Sequence, residues 1–377
     1  MDNIDRIYLD YAASTPMDPR VVEEMSAVLR DIFGNASSIH RYGLSAKSIL
    51  DNARVSTAKM LNAEPDEIYF TSGGTESNNL VLQGVAQKFD EPGHIITSAI
   101  EHPSVIQTGK YLQSKGWQIT FLPVTESGVV EVESVKEAIT PATRLISIMH
   151  VNNEIGSINP IAAIAEIAAE QGIAFHSDVV QSFGKLPLDM KKLPVSFLSI
   201  AGHKIYGPKG AGALFIRRKS KISKILHGGS QENKMRSGTE NIPAIAGFKK
   251  AVDILCTELP VDYTHLTEVG SYLRECMHEK VPQAKCNSPE DGLCSIQNYS
   301  LPGFDNMSLL MGLDLAGIAV SNGSACSLGH VTTSHVLNAL RLPDNCLRSA
   351  LRISLGRFTS REHIIRATDT LRSLIKK

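Results

Sequence analysis

Between about residues 43 and 260, stretches with apolar residues at three- and four-residue spacing alternate with short runs that are apolar nearly throughout. The helical spacing covers Leu44–Leu61, Glu76–Lys88, Ser104–Lys115 and Ile161–Gln171. The short runs are Glu67–Phe70, His94–Ser98, Ile119–Leu122, Leu145–Met149, Ile173–His176, Phe197–Ala201 and Ala213–Ile216. This alternation predicts βαβ units and a mainly parallel sheet covered by helices on both faces, an α/β domain. Past Leu259-Pro260 the texture changes. A helix (Tyr263–Lys280), a strand (Cys294–Ser300), a second helix (Met307–Ala316), a short strand (Ile318–Val320) and a last helix (Ser360–Lys376) predict a smaller α+β domain. The expected division is residues 15–260 for the large domain, with residues 1–14 and 261–377 forming the small one.

Composition narrows the class without naming a chemistry. Of 377 residues, 42% are hydrophobic and 20% charged, ordinary values for a soluble globular enzyme. A formal net charge of −1 offers no bulk attraction to nucleic acid or to a membrane, so no direct binding of either is expected. The N-terminal MDNIDRIYLDYAAS carries early acids and lacks the apolar core of a secretory signal. No stretch approaches the ~18 apolar residues of a membrane span, and a cytoplasmic protein is expected. The six cysteines, at 256, 276, 286, 294, 326 and 346, form no C-x-x-C pair, which argues against a zinc site or a redox dithiol. Cys326 alone lies in a run of small and polar residues, Ser321–Gly329, that reads as an exposed loop.

Candidate chemistry gathers where strands end. Lys204 follows the apolar run Val195–Ala201 and opens a Gly/Pro-rich stretch. A lysine delivered to the end of a buried strand loses hydration, which disfavours its charged form and leaves an amine able to form a Schiff base. The plain alternative is a surface lysine beside a turn. Ligands of open α/β sheets bind at the carboxyl ends of the strands, and other unusual polar residues fall there too. After Glu67–Phe70, Gly74 and Thr75 open a helix whose N–H groups suit a phosphate, although a purely structural turn reads the same way. His102 follows His94–Ser98 and suits stacking or proton transfer. Asn152 and Asn153 follow Leu145–Met149, and their amides suit a ring substituent. Asp178 follows Ile173–His176 and, if buried, requires a cation. Either Lys204, in a structural ion pair, or a protonated pyridine nitrogen meets that need. An anion cradle, a face partner, an acid for a ring nitrogen and a Schiff-base amine are together what pyridoxal phosphate requires.

These residues sit within longer motifs. They are Tyr8–Ala13 (YLDYAA), Phe33-Gly34-Asn35, Thr71–Asn78, Met149–Gly156, Gly202–Gly210, Met235–Thr239, Gly323–Cys326 and Arg352–Phe358. In them the chain resembles, essentially end to end, the cysteine desulfurases of the NifS/IscS-like group. That group lies in the class V branch of fold-type I pyridoxal-phosphate enzymes. The resemblance implies that Lys204 holds the cofactor covalently and shuttles the Cα proton. It implies Asp178 at the pyridinium nitrogen, Gln181 at the phenolic oxygen, and His102 stacked on the ring as an acid/base candidate. Gly74, Thr75 and His203 would hold the phosphate, with Thr239 reaching in from the second subunit of a homodimer. Asn153 and Arg352 would grip the carboxylate of L-cysteine. Cys326, on a mobile loop, would take the sulfur as a persulfide and carry it to an acceptor protein, leaving L-alanine.

The chain departs from its group at three places. Ala201 stands where many relatives have serine, which removes one phosphate hydrogen bond and predicts weaker cofactor retention. Pro103 replaces a common lysine, and Asn35-Ala36 replaces a frequent Asn-Pro. The latter, with Thr97–His102, resembles members that serve DNA phosphorothioation. Iron–sulfur scaffolds and tRNA-thiolation enzymes are the other acceptor classes. Alternatives to a cysteine desulfurase are a selenocysteine lyase or another class V enzyme, and a non-catalytic scaffold for sulfur transfer in which Lys204 is inert.

Overall fold

The computed structural model describes residues 6–323 and 333–376. A short strand, β1 (Ile7–Tyr8), precedes two helices, α1 (Pro19–Asp31) and α2 (Arg41–Leu61). The alternating region follows as β2 (Ile68–Thr71), α3 (Gly74–Ala86), β3 (His94–Ser98), α4 (Pro103–Gln113), β4 (Gln118–Leu122) and α5 (Val132–Ala138). It continues through β5 (Thr143–Ser147), α6 (Ile161–Glu170), β6 (Ala174–Asp178), β7 (Phe197–Ala201) and β8 (Gly212–Ile216). The remainder is α7 (Ile242–Lys280), β9 (Lys285–Cys286), β10 (Ile296–Ser300), α8 (Asn306–Leu315), β11 (Ile318–Ala319), α9 (His335–Ala339), α10 (Asp344–Leu347), β12 (Ala350–Ser354) and α11 (Arg361–Ile375).

The large sheet has the order β2-β8-β7-β6-β5-β3-β4. The run from β4 to β7 is parallel, while β8 is antiparallel to both β7 and β2. The mainly parallel α/β sheet expected from the alternation is therefore present, and β8 is its antiparallel intruder. Two buried cores cover the sheet faces. One joins α1, α2 and α6 to residues such as Phe175, Ile200 and Phe215, and the other joins α3 and α4 to Ile95, Phe197 and Leu214. Between β2 and β7, Gly212 pairs with both Thr71 and Ala201. A Cβ at Gly212 would lie 2.6 Å from the Gly73 Cα, so only glycine lets the start of α3 settle against the end of β7.

The second half of the chain differs from the pattern in one respect. The helix expected over Tyr263–Lys280 is the continuation of α7, 39 residues long, which runs through Pro260 without stopping. An interior proline costs ~3 kcal/mol in lost hydrogen bonding and ring clash. Burial on either side offsets it, at ~1.5–3 kcal/mol for each large apolar side chain. Phe248, Val252 and Leu255 enter the main core before the proline, and Leu266, Leu273 and Met277 enter a second core after it. Ile7 and Leu9 belong to that second core, and β1 pairs with β11. The antiparallel sheet β12-β10-β9 and helix α11 complete it.

Candidate active site

Parallel strands deliver their carboxyl ends to one side of the sheet, and there the structure opens a cavity of about 860 Å³. Nine of the residues singled out from the sequence line it: Gly74, Thr75, His102, Asn153, Asp178, Gln181, His203, Lys204 and Arg352. Thr239 is exposed and does not line the cavity of its own chain. Cys326 lies outside the described residues. The described residues flanking it, Ser321 and Gly323 on one side and Thr333 and Ser334 on the other, do line the cavity.

Lys204 ends a single 3-10 turn, Gly202–Lys204, that breaks from β7. Its Nζ donates to the carbonyls of Ala12 and Ala13, both at 2.6 Å. Burial, reinforced by the charges of Lys185 and Arg352, lowers its pKa to about 7. Among the described residues no carboxylate forms an ion pair with it. The structural Lys204–Asp178 pair, the main alternative from the sequence, is not made. Asp178, the last residue of β6, is buried and held instead by neutral donors: Asn78 Nδ2 at 2.7 Å and the Val180 N–H at 3.0 Å. Two hydrogen bonds from neutral groups satisfy a carboxylate only partly, which leaves Asp178 able to take a cationic ligand.

The other residues are placed by local geometry. No side chain caps the first turn of α3, and Gly73, at φ +150°, turns the chain into it. A Cβ on Gly74 would come within 2.7 Å of Val180 Cγ2, so any larger residue there requires Val180 to move. His203 Nδ1 faces Ser14 Oγ at 3.3 Å, and burial lowers its pKa to about 4, keeping it neutral. Gln181 donates through Nε2 to the Ala12 carbonyl at 2.9 Å and accepts at Oε1 from Lys185 Nζ at 3.2 Å. Arg352, in β12, is buried among Asp10 Oδ1 at 2.7 Å and the Asn153 carbonyl at 2.9 Å, while its Nε has no partner.

Several wall residues were not anticipated. Asn78, Ser104, Glu101, Glu154, Lys185 and His335 are polar groups in or behind the wall. Glu101 accepts from Ser98 Oγ and the Met149 N–H, and its burial pushes its pKa up to about 8. Glu154 accepts from Ser334 Oγ at 2.6 Å, and a Cβ on Gly323 would lie 2.7 Å from the same oxygen. The sequence did hold a signal for Asn78. It follows Gly74 by four residues, and in a helix that spacing puts both on one face.

A ligand for this cavity needs a phosphate for an uncapped helix start, a cationic ring nitrogen for Asp178 and a carbonyl for Lys204. Pyridoxal phosphate has all three, and the residues present fit it. Ala201 Cβ lies 3.9 Å from where a Gly74 Cβ would stand, beside the α3 start, so a hydroxyl there would reach the same anion site. Ala201→Ser is accordingly expected to slow cofactor loss on dialysis by ~2- to 10-fold, the worth of one added hydrogen bond. An unchanged loss rate, followed by absorbance, would contradict this.

Such a fold and site define a pyridoxal-phosphate enzyme, and the chain matches the aminotransferase class-V family over residues 7–366 and belongs to it. Within that family it is 43% identical over 373 residues to the cysteine desulfurase IscS of Dictyoglomus turgidum, an alignment covering 98% of this chain and 95% of that protein. The solved structure of a NifS-like protein superposes with a TM-score of 0.93 at 35% identity, over 98% of this chain and 99% of that one. SspA in complex with cysteine aligns with a TM-score of 0.83 at 38% identity, over 94% and 100% of the two chains. The likeness to cysteine desulfurases read from the motifs therefore runs the length of the chain.

Proposed function

We propose that this protein is an L-cysteine desulfurase that converts L-cysteine to L-alanine and passes the sulfur through a Cys326 persulfide to an acceptor protein. The observation that carries the reading is a Lys204 amine with lowered basicity, lining one cavity with Arg352 and with an Asp178 carboxylate held only by neutral donors. When bound, pyridoxal phosphate supplies a carbonyl for amines and a ring that accepts electrons. Gly74, Thr75 and His203 would hold its phosphate, Asp178 its ring nitrogen and Gln181 its phenolic oxygen. Arg352 and Asn153 bind and orient the substrate carboxylate. Lys204, close to neutral at physiological pH, takes the proton from the substrate Cα and can return it. The Cys326 thiolate then attacks the substrate sulfur. An S–S bond forms, the C–S bond breaks with its electron pair left on Cβ, and protonation there completes the methyl group of alanine.

The direct test is a paired assay of the cofactor-loaded enzyme with L-cysteine and a thiol reductant. Alanine and sulfide should appear in equal amounts, and sulfide without alanine would overturn the reading. Arg352→Lys replaces a planar guanidinium with a point charge. It should raise KM for L-cysteine by ~10- to 100-fold with a smaller change in kcat, as expected for a lost charge-assisted hydrogen bond. A KM within twofold of wild type would remove Arg352 from substrate binding.

We further infer a homodimer in which Thr239 reaches the partner's cavity, a reading supported by its exposure and by exposed Phe33, Ile39 and Tyr42. A cytoplasmic setting is supported by the five described cysteines, all free thiols.

A further inference from the structure

Behind His102 a chain of side chains crosses from one functional element to another. Asn78 is wholly buried, and its Nδ2 lies 2.7 Å from Asp178 Oδ2 and 2.8 Å from Ser104 Oγ. Ser104 Oγ in turn lies 2.8 Å from His102 Nδ1. The Ser104 backbone N–H reaches the same ring nitrogen at 3.1 Å, so His102 caps its own helix, α4. Asn78 Oδ1 has no partner.

Hydrogen-bonding roles along this chain run one way. An ionised carboxylate only accepts, so Asn78 must turn its NH₂ group, not its oxygen, toward Asp178. The second hydrogen of that NH₂ goes to Ser104 Oγ, which therefore accepts. The single hydroxyl hydrogen of Ser104 is left for His102 Nδ1, which the backbone N–H also requires as an acceptor. Nδ1 is thus unprotonated, and the proton of the neutral ring sits on Nε2, the nitrogen left for the cavity. The orphaned Asn78 oxygen records the cost of this arrangement, since flipping the amide would turn that oxygen on Asp178.

We propose that Asn78 is a positioning residue which, acting through Ser104, holds His102 in its Nε2–H tautomer and opposes its protonation. His102 is then a hydrogen-bond donor in the resting site and not a base. Asp178, as an acceptor for Asn78, fixes the direction of these hydrogen bonds from the far end of the chain. This inference rests on the hydrogen-bond geometry and holds whichever amino acid is the substrate. The charged and titratable groups around the ring act in both directions. Asp178 favours its protonation, Lys204 and His335 oppose it along with burial, His203 lies across the cavity, and Glu101 precedes it in the chain.

The test is nitrogen NMR of the full-length, cofactor-loaded enzyme carrying ¹⁵N-labelled histidine, with His102 assigned by the signals lost in His102→Gln. In wild type the Nδ1 signal should be that of an unprotonated ring nitrogen and the Nε2 signal that of a protonated one. The reverse pattern would overturn the proposal with no variant needed. In Ser104→Ala the neutral ring loses the hydroxyl that donates to Nδ1, and in Asn78→Ala that hydroxyl is freed to accept from a protonated Nδ1. The His102 titration midpoint should rise by ~0.5–1 pH unit in each. A midpoint unmoved in Ser104→Ala would also overturn it, even if Asn78→Ala failed to fold. Alanine production is not read in this experiment, so its outcome is separate from that of the desulfurase assay.

Discussion

Lys204→Ala should lower alanine formation from L-cysteine by at least ~1,000-fold while leaving the fold intact. The substitution removes the amine that would hold the cofactor and move the Cα proton. The side chain anchors little else, since its hydrogen bonds go only to the Ala12 and Ala13 carbonyls. Lys204→Arg is the sharper control. It keeps the positive charge but cannot lose a proton near neutral pH, so it should be as inactive as alanine. Borohydride reduction of the wild-type enzyme should fix the cofactor on the Lys204 peptide, and a label on any other lysine would refute the assignment.

The same residue carries a pH dependence. Only the neutral amine captures a carbonyl, and lowering the pKa to about 7 makes neutral amine abundant near physiological pH. For enzyme stripped of cofactor, the rate of pyridoxal phosphate capture should rise ~10-fold between pH 6 and pH 8 and then level off. An ordinary lysine would give a rise of ~100-fold over that range and continue climbing toward pH 10. The sign follows from the cause: burial and the neighbouring charges of Lys185 and Arg352 penalise the protonated form, so neutralisation comes early.

Cys326→Ala should lower sulfide release by at least ~1,000-fold, because the group proposed to accept the sulfur is gone. Substrate binding should persist, since Arg352, Asn153 and Lys204 are untouched. A spectral change on adding L-cysteine, without turnover, is the expected signature. In wild type, mass spectrometry of enzyme mixed with L-cysteine should find one extra sulfur atom on the Cys326 peptide. Full sulfide release by the variant would assign the sulfur to another acceptor. Position supports the assignment. Cys326 lies outside the described residues, yet Ser321, Gly323, Thr333 and Ser334 on its two sides all line the cavity.

Much of this architecture was legible because burial imposes period and composition. Strands β3 and β7 coincide with their apolar runs, and α4, α6 and α11 begin and end within two residues of the expected positions. Elements that bury little were not visible. Helix α1 buries only Val21 and Val28, and β1 has two residues. Pro260 misled for a different reason. Local propensity ends a helix at proline, but α7 has a core to pack against on each side of it, and tertiary burial outweighs the local cost.

The sequence alone determined which candidate residues gather at the cavity. Lys204, Asp178, His102 and Gly74 each stand at the border of an apolar run, and parallel βα units send all such borders to one side of a sheet. Tertiary structure alone decided how those residues are paired. Whether Asp178 meets Lys204 or Asn78 is a matter of a few ångströms between the end of β6, the turn after β7 and helix α3, and the answer is Asn78. The Lys204 amine is left against two carbonyls with its basicity lowered by groups up to 148 positions away, since Arg352 comes from β12. Hydrophobic periodicity reports which face of an element is buried. It carries no information about the distances and hydrogen-bond directions across the cavity, and those set charge and tautomer.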